Sequence, residues 1–493
     1  MRRICGCVLA LLALSVCQAA RADVRLPRMF SDHAVFQRDL PLVVWGWADP
    51  AEKIKVDLGK DTMSTVAGTN GSWSVTLSPL KAGGPIDMVV SGKNTNTVKD
   101  ILVGDVWICS GQSNMEFPLS GADNAGDAVK AATNSKIRLL HVTADQLAEP
   151  ANDIPNTWSV CSPESAAGFS AVGYFFGKAV QEETGIPIGL IESAWGGTAI
   201  EPWTSPGAWA GIEELAKLKT DPNSLGHIYN GRIAPLAPYG IKGALWYQGE
   251  SNGGDDDIYF HKMRALISCW RQTWHVYSGK KKARNGGLPG YEFPFYFVQL
   301  ANFQASHDNP QGGDGWAKIR MAQLKALTIP RTGMALAIDV GDAGDIHPRN
   351  KADVGRRLAL WALAKDYGKS AVVCSGPLYK GMKVQGDKIR VTFDYVGSGL
   401  VIGWKEGHGP AVDVGGSTDI SGKPLKLKQF AVAGQDKNWF WADAVIDGST
   451  VVVGSTNVPK PVAVRYAFSM NPAGCNLYNK EGLPASPFRS DDW

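Results

Sequence analysis

The sequence predicts an α/β domain built on a mainly parallel sheet, with a β domain before it and another after it. Three observations predict this. Over residues 23–103 the pattern has period two: Ile54, Val56 and Leu58 alternate with Lys53, Lys55 and Asp57, and Trp73, Val75 and Leu77 alternate with polar residues. Such alternation is that of half-buried strands, and Asn70-Gly71 supplies the φ > 0 turn that joins two of them into a small β-sandwich. Over 104–370 short apolar runs alternate with longer helical patterns, as an α/β domain requires. Over 371–493 alternation returns, in Ile389, Val391, Phe393 and Tyr395, in Val451–Val453 after Asp447-Gly448, and in Val462, Val464 and Tyr466. A chain of 493 residues, 44% hydrophobic and 20% charged, is too long for one ordinary domain and rich enough to bury several cores.

Residues 1–22 stand apart. Met1-Arg2-Arg3, the apolar run Val8–Val16 and Ala20-Arg21-Ala22 have the order of a secretory signal cleaved after Ala22, which predicts an exported protein, periplasmic or extracellular. The run is nine residues against the roughly 20 that a spanning helix needs, so no membrane span is expected. Cys17 would suit a lipid-anchored leader, but Val16 is bulkier than the small residue such a site prefers. Losing Arg2, Arg3 and Arg21 with no acid takes the formal charge from +3 to 0, which argues against nucleic acid or an anionic membrane as partner. Five of the eight cysteines remain, Cys109, Cys161, Cys269, Cys374 and Cys475, with no C-x-x-C pair. That spacing fits neither a zinc site nor a disulfide-dense scaffold, and an odd count leaves at least one thiol outside an internal bridge.

Within 104–370 the expected strands are Val106–Cys109, Ile188–Ala194, Ile241–Tyr247, Phe293–Leu300 and Met334–Val340. Ser170 reads as the N-cap and Gly185 as the stop of one helix; Asp257 as the start of a helix carrying Met263, Leu266, Ile267 and Trp270; the last helix runs from about Asn350 to Gly368. Ligands gather beyond the carboxyl ends of the strands in an open α/β sheet. There the chain places Ser110-Gly111-Gln112-Ser113-Asn114-Met115, Trp195-Gly196-Gly197-Thr198, Gln248-Gly249-Glu250-Ser251-Asn252 and Gly341-Asp342-Ala343-Gly344-Asp345-Ile346-His347-Pro348.

These loops hold what a serine hydrolase needs: a hydroxyl, a base and donors for an oxyanion. Ser113 follows a strand with Gly111 allowing a sharp turn, while Met115 breaks the G-x-S-x-G elbow of α/β-hydrolases. Of eight histidines only His347 follows a core strand among carboxylates, which makes it the candidate base. Oxyanion donors would be the Ser113 N–H, a backbone N–H at Gly196 or Gly197, and the Gln248 amide. Trp203, Glu250 and Asn252 are candidate substrate contacts, with Trp195 a second platform for a sugar ring. Singly, each residue has an ordinary reading as turn, capped surface group or core; their conjunction carries the argument. A metal-dependent hydrolase on Asp339, Asp342, Asp345 and His347 competes, but there is no H-E-x-x-H and the Asp spacing does not match an EF-hand. So does a non-catalytic carbohydrate-binding protein, given 17 tryptophans.

At these residues the chain resembles the sialate O-acetylesterase family, within the SGNH (GDSL-type) hydrolases. The resemblance runs through Gly104-Asp105-Val106-Trp107, Gly111–Met115, Trp195–Thr198 with Trp203, Tyr229-Asn230, Trp246–Asn252, Ile346-His347-Pro348 with Asn350-Lys351, and Asn476-Leu477-Tyr478-Asn479. It implies a three-layer α/β/α SGNH-hydrolase domain flanked by β-sandwich-like domains, and cofactor- and metal-independent hydrolysis of acetyl esters on an O-acetylated carbohydrate. Ser113 would be nucleophile and His347 base, with Gly197 and Gln248 shaping the oxyanion hole. Acetylated sialic acid is the first substrate class it implies, with acetylated xylan, xyloglucan or pectin as others. One departure stands out: the superfamily's acid and base are written D-x-x-H, yet Gly344 stands three residues before His347. Asp345 is the favoured orienting acid, with Asp342, or a backbone carbonyl in place of a carboxylate, as alternatives.

Overall fold

The computed structural model describes residues 23–218, 224–275, 292–418 and 421–493. The expected signal at 1–22 lies outside them. The fold is mixed α/β: a large curled mixed sheet with helices, and further β-sheet regions toward the C-terminus.

The part of the sheet that positions the site has seven strands in the order Thr332–Leu336, Phe295–Gln299, Gly243–Tyr247, Thr95–Gly111, Ile188–Ala194, Asn134–His141 and Ser159–Cys161. All neighbours are parallel except the last pair. The central strands Gly243–Tyr247 and Ile188–Ala194 are buried throughout, which is why Gly243–Tyr247 and the first half of the other, Ile188–Ile191, read as apolar runs rather than alternating ones, while Glu192 and Ser193 are buried polar residues at its end. Asn134–His141 and Ser159–Cys161 were not among the five expected strands. The first opens with a polar half, Asn134-Ser135-Lys136, and only Ile137–Leu140 is buried, so its apolar run is too short to stand out.

Thr95–Gly111 is one strand of 17 residues. Its first half pairs antiparallel with Gly83–Ser91 and parallel with Val35–Gln37, and its second half lies at the centre of the parallel sheet. The strand therefore passes unbroken through residues 103 and 104, and the buried side chains of the N-terminal β region form one continuous core with those around the parallel sheet. The C-terminal β region has its own core, including Ile389, Val391, Phe430, Val464 and Phe488.

Local signals set the helices. Ser170 Oγ accepts the Gly173 N–H (3.1 Å) at the start of Ala171–Thr184, and Gly185, in the left-handed region at φ 69°, ends it. Asn350 caps Lys351–Asp366 through the Asp353 N–H (3.1 Å), and a helix starts at Ile258, directly after Asp257. The helices Ala171–Thr184 and Lys351–Asp366 meet where Gly355 approaches the Val172 carbonyl so closely that a Cβ would lie 2.7 Å from its oxygen. All five cysteines after residue 22 are free thiols. Among the described residues no helix is long and apolar enough to cross a membrane.

Candidate active site

The turn that presents Ser113 is made by backbone contact. The strand ends at Gly111 with φ 135°, and a Cβ there would fall 2.1 Å from the Tyr247 carbonyl oxygen of the neighbouring strand. Only glycine fits so close an approach. The Gln112 N–H donates to that same carbonyl (3.0 Å), and the four-residue helix Ser113–Glu116 begins at once. Gln112 Oε1 accepts the N–H groups of Gly249 (3.3 Å) and Ser251 (3.2 Å), tying the turn to the loop after Gly243–Tyr247.

The structure brings Ser113 and His347 together: Ser113 Oγ lies 2.9 Å from His347 Nε2 across 234 residues of sequence. The other ring nitrogen, Nδ1, lies 3.4 Å from Asp345 Oδ1, which also accepts the His347 backbone N–H at 2.8 Å. The other two carboxylates are engaged elsewhere. Asp342 accepts the Gly344 N–H (2.8 Å), and Asp339 forms a bidentate pair with Arg357 (2.6 and 2.8 Å) and accepts from the Tyr478 hydroxyl (3.2 Å). Asp339, Asp342, Asp345 and His347 thus do not converge as a ligand set. Among the described residues no group of three or more His, Cys, Asp or Glu is placed to hold a metal ion.

Two backbone donors face no competitor. The Ser113 N–H opens a helix and so has no intrahelical partner. Gly197, at φ 74°, has a backbone N–H without a partner among the described residues, whereas the neighbouring Gly196 N–H donates to Glu116 Oε2 at 2.7 Å. Of the two glycines left open by the sequence, Gly197 is the one with a free donor. Arg232 supports this loop from behind, donating to the Ala194 carbonyl (2.6 Å) and lying 4.2 Å from the centre of the Trp195 ring.

Three expected contacts are placed differently. Gln248 is fully buried; its Nε2 donates to Asn252 Oδ1 (2.7 Å) and the Thr198 carbonyl (3.3 Å), and its Oε1 accepts from the Tyr259 hydroxyl (2.7 Å). An amide nitrogen has two hydrogens, so none is left for an oxyanion. Asn252, expected as a substrate contact, is also buried: it accepts from the Ile200 N–H (2.9 Å) and donates to Asp255 (2.7 Å) and Glu201 (3.1 Å). Trp203, expected as a sugar platform, has no exposed surface; its indole N–H donates to Thr198 Oγ1 (3.0 Å) and its ring packs edge-to-face on Trp246. These three hold the loops in place. Glu250 is not a solvated acid either: Oε1 accepts from Asn114 Nδ2 (2.5 Å), Oε2 is buried with no partner among the described residues, and burial raises its pKa above the usual carboxylate range.

Sequence reasoning gave no role to Asn114 and Lys351. Asn114 Nδ2 donates to Glu250 and also to the carbonyl of Ile346 (3.0 Å), the residue before His347, so one amide ties the turn at Ser113 to the loop that carries His347. Lys351 is fully buried, donates from Nζ to Asn114 Oδ1, and lies 4.8 Å from the Phe117 ring centre; burial pushes its pKa down to about 7. Both residues stand inside motifs singled out above, beside Ser113 and after His347, and adjacency was the one signal available. Deeper in the sheet, Glu192 is fully buried, accepts the Ser170 N–H (2.7 Å), and is pushed up to about 8 by burial.

Residues 103–364 match the family model of the sialic acid-specific acetylesterases, a family of carbohydrate esterases. The chain belongs to that family. It is 30% identical to the sialate O-acetylesterase of Homo sapiens, with 96% of this chain and 93% of that protein covered, and 30% identical to that of Mus musculus, with 98% and 97% covered. Among solved structures, a carbohydrate acetylesterase from Xanthomonas citri is 38% identical with a TM-score of 0.82, covering 95% of this chain and 100% of that one. A family match and full-length relatives of this kind make the chain an ester hydrolase of the carbohydrate esterases.

Proposed function

We propose that this chain is a serine carbohydrate esterase that removes O-acetyl groups from sugars through an acetyl-enzyme, with O-acetylated sialic acid the first substrate class to test. The observation that carries the mechanism is the 2.9 Å contact between Ser113 Oγ and His347 Nε2 in a chain of this family. Ser113 Oγ attacks the acetyl carbonyl carbon while His347 Nε2 takes its proton, and the oxyanion rests on the Ser113 and Gly197 N–H groups. His347 then protonates the sugar oxygen as the C–O bond breaks. Water, deprotonated by the same imidazole, attacks the acetyl-enzyme, and acetate leaves as the proton returns to Ser113. Asp345 is the group that orients His347 in this reading; Gln248, Asn252 and Trp203 position the loops. No cofactor takes part in these steps.

The same proposal takes residues 104–370 as a three-layer SGNH-type domain, 23–103 and 371–493 as β-sandwich-like domains, and 1–22 as an export signal removed after Ala22. The sialate substrate is supported by the names of the full-length relatives. The test is acetate release, with EDTA present, by wild type and Ser113→Ala from O-acetylated sialic acid and from acetylated xylan. Release from the former by wild type alone is expected; equal release by Ser113→Ala refutes the mechanism, and preference for xylan refutes the substrate assignment.

A further inference from the structure

A groove of about 810 Å³ lies away from Ser113, between the N-terminal β region and the segments 150–152 and 229–238. Its floor is the outer face of a two-stranded sheet, Leu42–Trp47 paired antiparallel with Ser72–Leu77. Burial alternates along both strands, and the register sets Trp45 opposite Ser74 and Trp47 opposite Ser72. Residues directly opposite share a face, so two tryptophans about 7 Å apart stand beside a row of small hydroxyls. Trp45 packs edge-to-face on Phe30 (4.7 Å, 78°), which fixes its plane, while Trp47 carries the Arg25 guanidinium at 5.7 Å from its ring centre. Trp73, 4% exposed, also lines the groove, and its indole N–H has no partner among the described residues.

The lining contains no Lys, Arg, Asp, Glu or His, in a chain that is 20% charged. Indole faces, hydroxyls and the amide of Asn152 suit an uncharged ligand with apolar C–H faces and many hydroxyls; the neighbouring Arg25 guanidinium is not itself in the lining and lies on the Trp47 ring. The volume is that of a small-molecule site. The groove is also joined to the catalytic loop. Tyr229 lines it, and Arg232, in the same turn Tyr229–Ile233, holds the Ala194 carbonyl and the Trp195 ring beside Gly197.

We propose that this groove is a second carbohydrate site, which holds the neutral sugar residues of a longer glycan while an acetylated residue of that glycan is presented to Ser113. Only its purpose rests on the esterase reading; binding itself does not. The test uses unacetylated probes, cellohexaose, xylohexaose and lacto-N-neotetraose, titrated calorimetrically into the full chain, with N-acetylneuraminic acid as the anionic control. At least one neutral probe is expected to bind with a Kd below about 1 mM, and Ser74→Arg on the floor and Asn152→Arg on the opposite wall to weaken it at least about tenfold. Both positions are exposed, and hydrolysis of 4-nitrophenyl acetate reports on the fold of each variant and is expected to stay unchanged. Trp45→Ala is the third variant, should either arginine disturb folding. No neutral binding at about 10 mM, binding of the anionic control alone, or unweakened binding in variants that keep ester hydrolysis overturns the proposal. Failure of the esterase reading would show instead as absent acetate release with probe binding intact.

Discussion

Gly111→Ala puts one methyl group where the structure has no room for it. The new Cβ would fall 2.1 Å from the Tyr247 carbonyl oxygen, 2.7 Å from its carbon and 2.9 Å from its nitrogen, all backbone of a central strand that has no rotamer to change. The position also has φ 135°, which L side chains rarely adopt, at a cost on the order of 1–3 kcal/mol. Overpacking adds typically about 1–3 kcal/mol. Relief requires the two strands to part, which breaks the Gln112 N–H bond to the same carbonyl and moves Ser113, two residues on, relative to His347. A displacement of about 1 Å costs on the order of 100-fold in rate. The expected outcome is therefore a kcat/KM on an O-acetylated sugar about 100-fold lower, with a stability loss of roughly 2–6 kcal/mol by urea unfolding. Gly197→Ala is the control: nothing lies within 4 Å of its Cβ, so only the φ 74° strain of about 1–2 kcal/mol remains. A Gly111→Ala enzyme with wild-type kcat/KM and urea midpoint would refute the close-turn argument.

Gln248→Ala is expected to lose about 2–4 kcal/mol of stability together with activity, because Asn252, Thr198 and Tyr259 all lose a buried partner. Activity down several hundredfold at an unchanged urea midpoint would instead restore Gln248 as an oxyanion donor. Lys351→Met keeps the aliphatic volume but frees the Asn114 amide that joins Ser113 to the Ile346 carbonyl; the expected change is a fall in kcat of about tenfold, the equivalent of one hydrogen bond, with KM near wild type, and an unchanged kcat denies the role. Glu192 is pushed up to about 8 from an ordinary 4.5, so the native state keeps a proton that the unfolded chain releases. Stability then falls as pH rises from about 4.5 to about 8, with a slope of at most about 1.4 kcal/mol per pH unit. Glu192→Gln, whose amide oxygen can still accept the Ser170 N–H, is expected to flatten that slope; parallel urea midpoints for the two proteins between pH 5 and 8 would contradict it.

Much of what positions the site is local and so was legible in the sequence. Ile188–Ala194 reads as a strand because seven consecutive residues are buried, and Ala171–Thr184 as a helix because its cap and stop, Ser170 and Gly185, act within one turn. The loops after the parallel strands could be singled out from the sequence, and within them Ser113 and His347, which the structure brings to 2.9 Å of each other, since few residue types can serve as nucleophile and base. Tertiary structure decided what depends on long-range packing. The close approach of Gly111 to Tyr247, the free N–H of Gly197 against the engaged N–H of Gly196, and the facing of Asp345 rather than Asp339 toward His347 each turn on a partner far away in the chain. Gln248, Asn252 and Trp203 have the chemistry of a binding site and the position of a scaffold. Residue type determines which hydrogen bonds a side chain can make; only packing determines whether neighbours have already used them, and burial leaves these three with none to give a substrate.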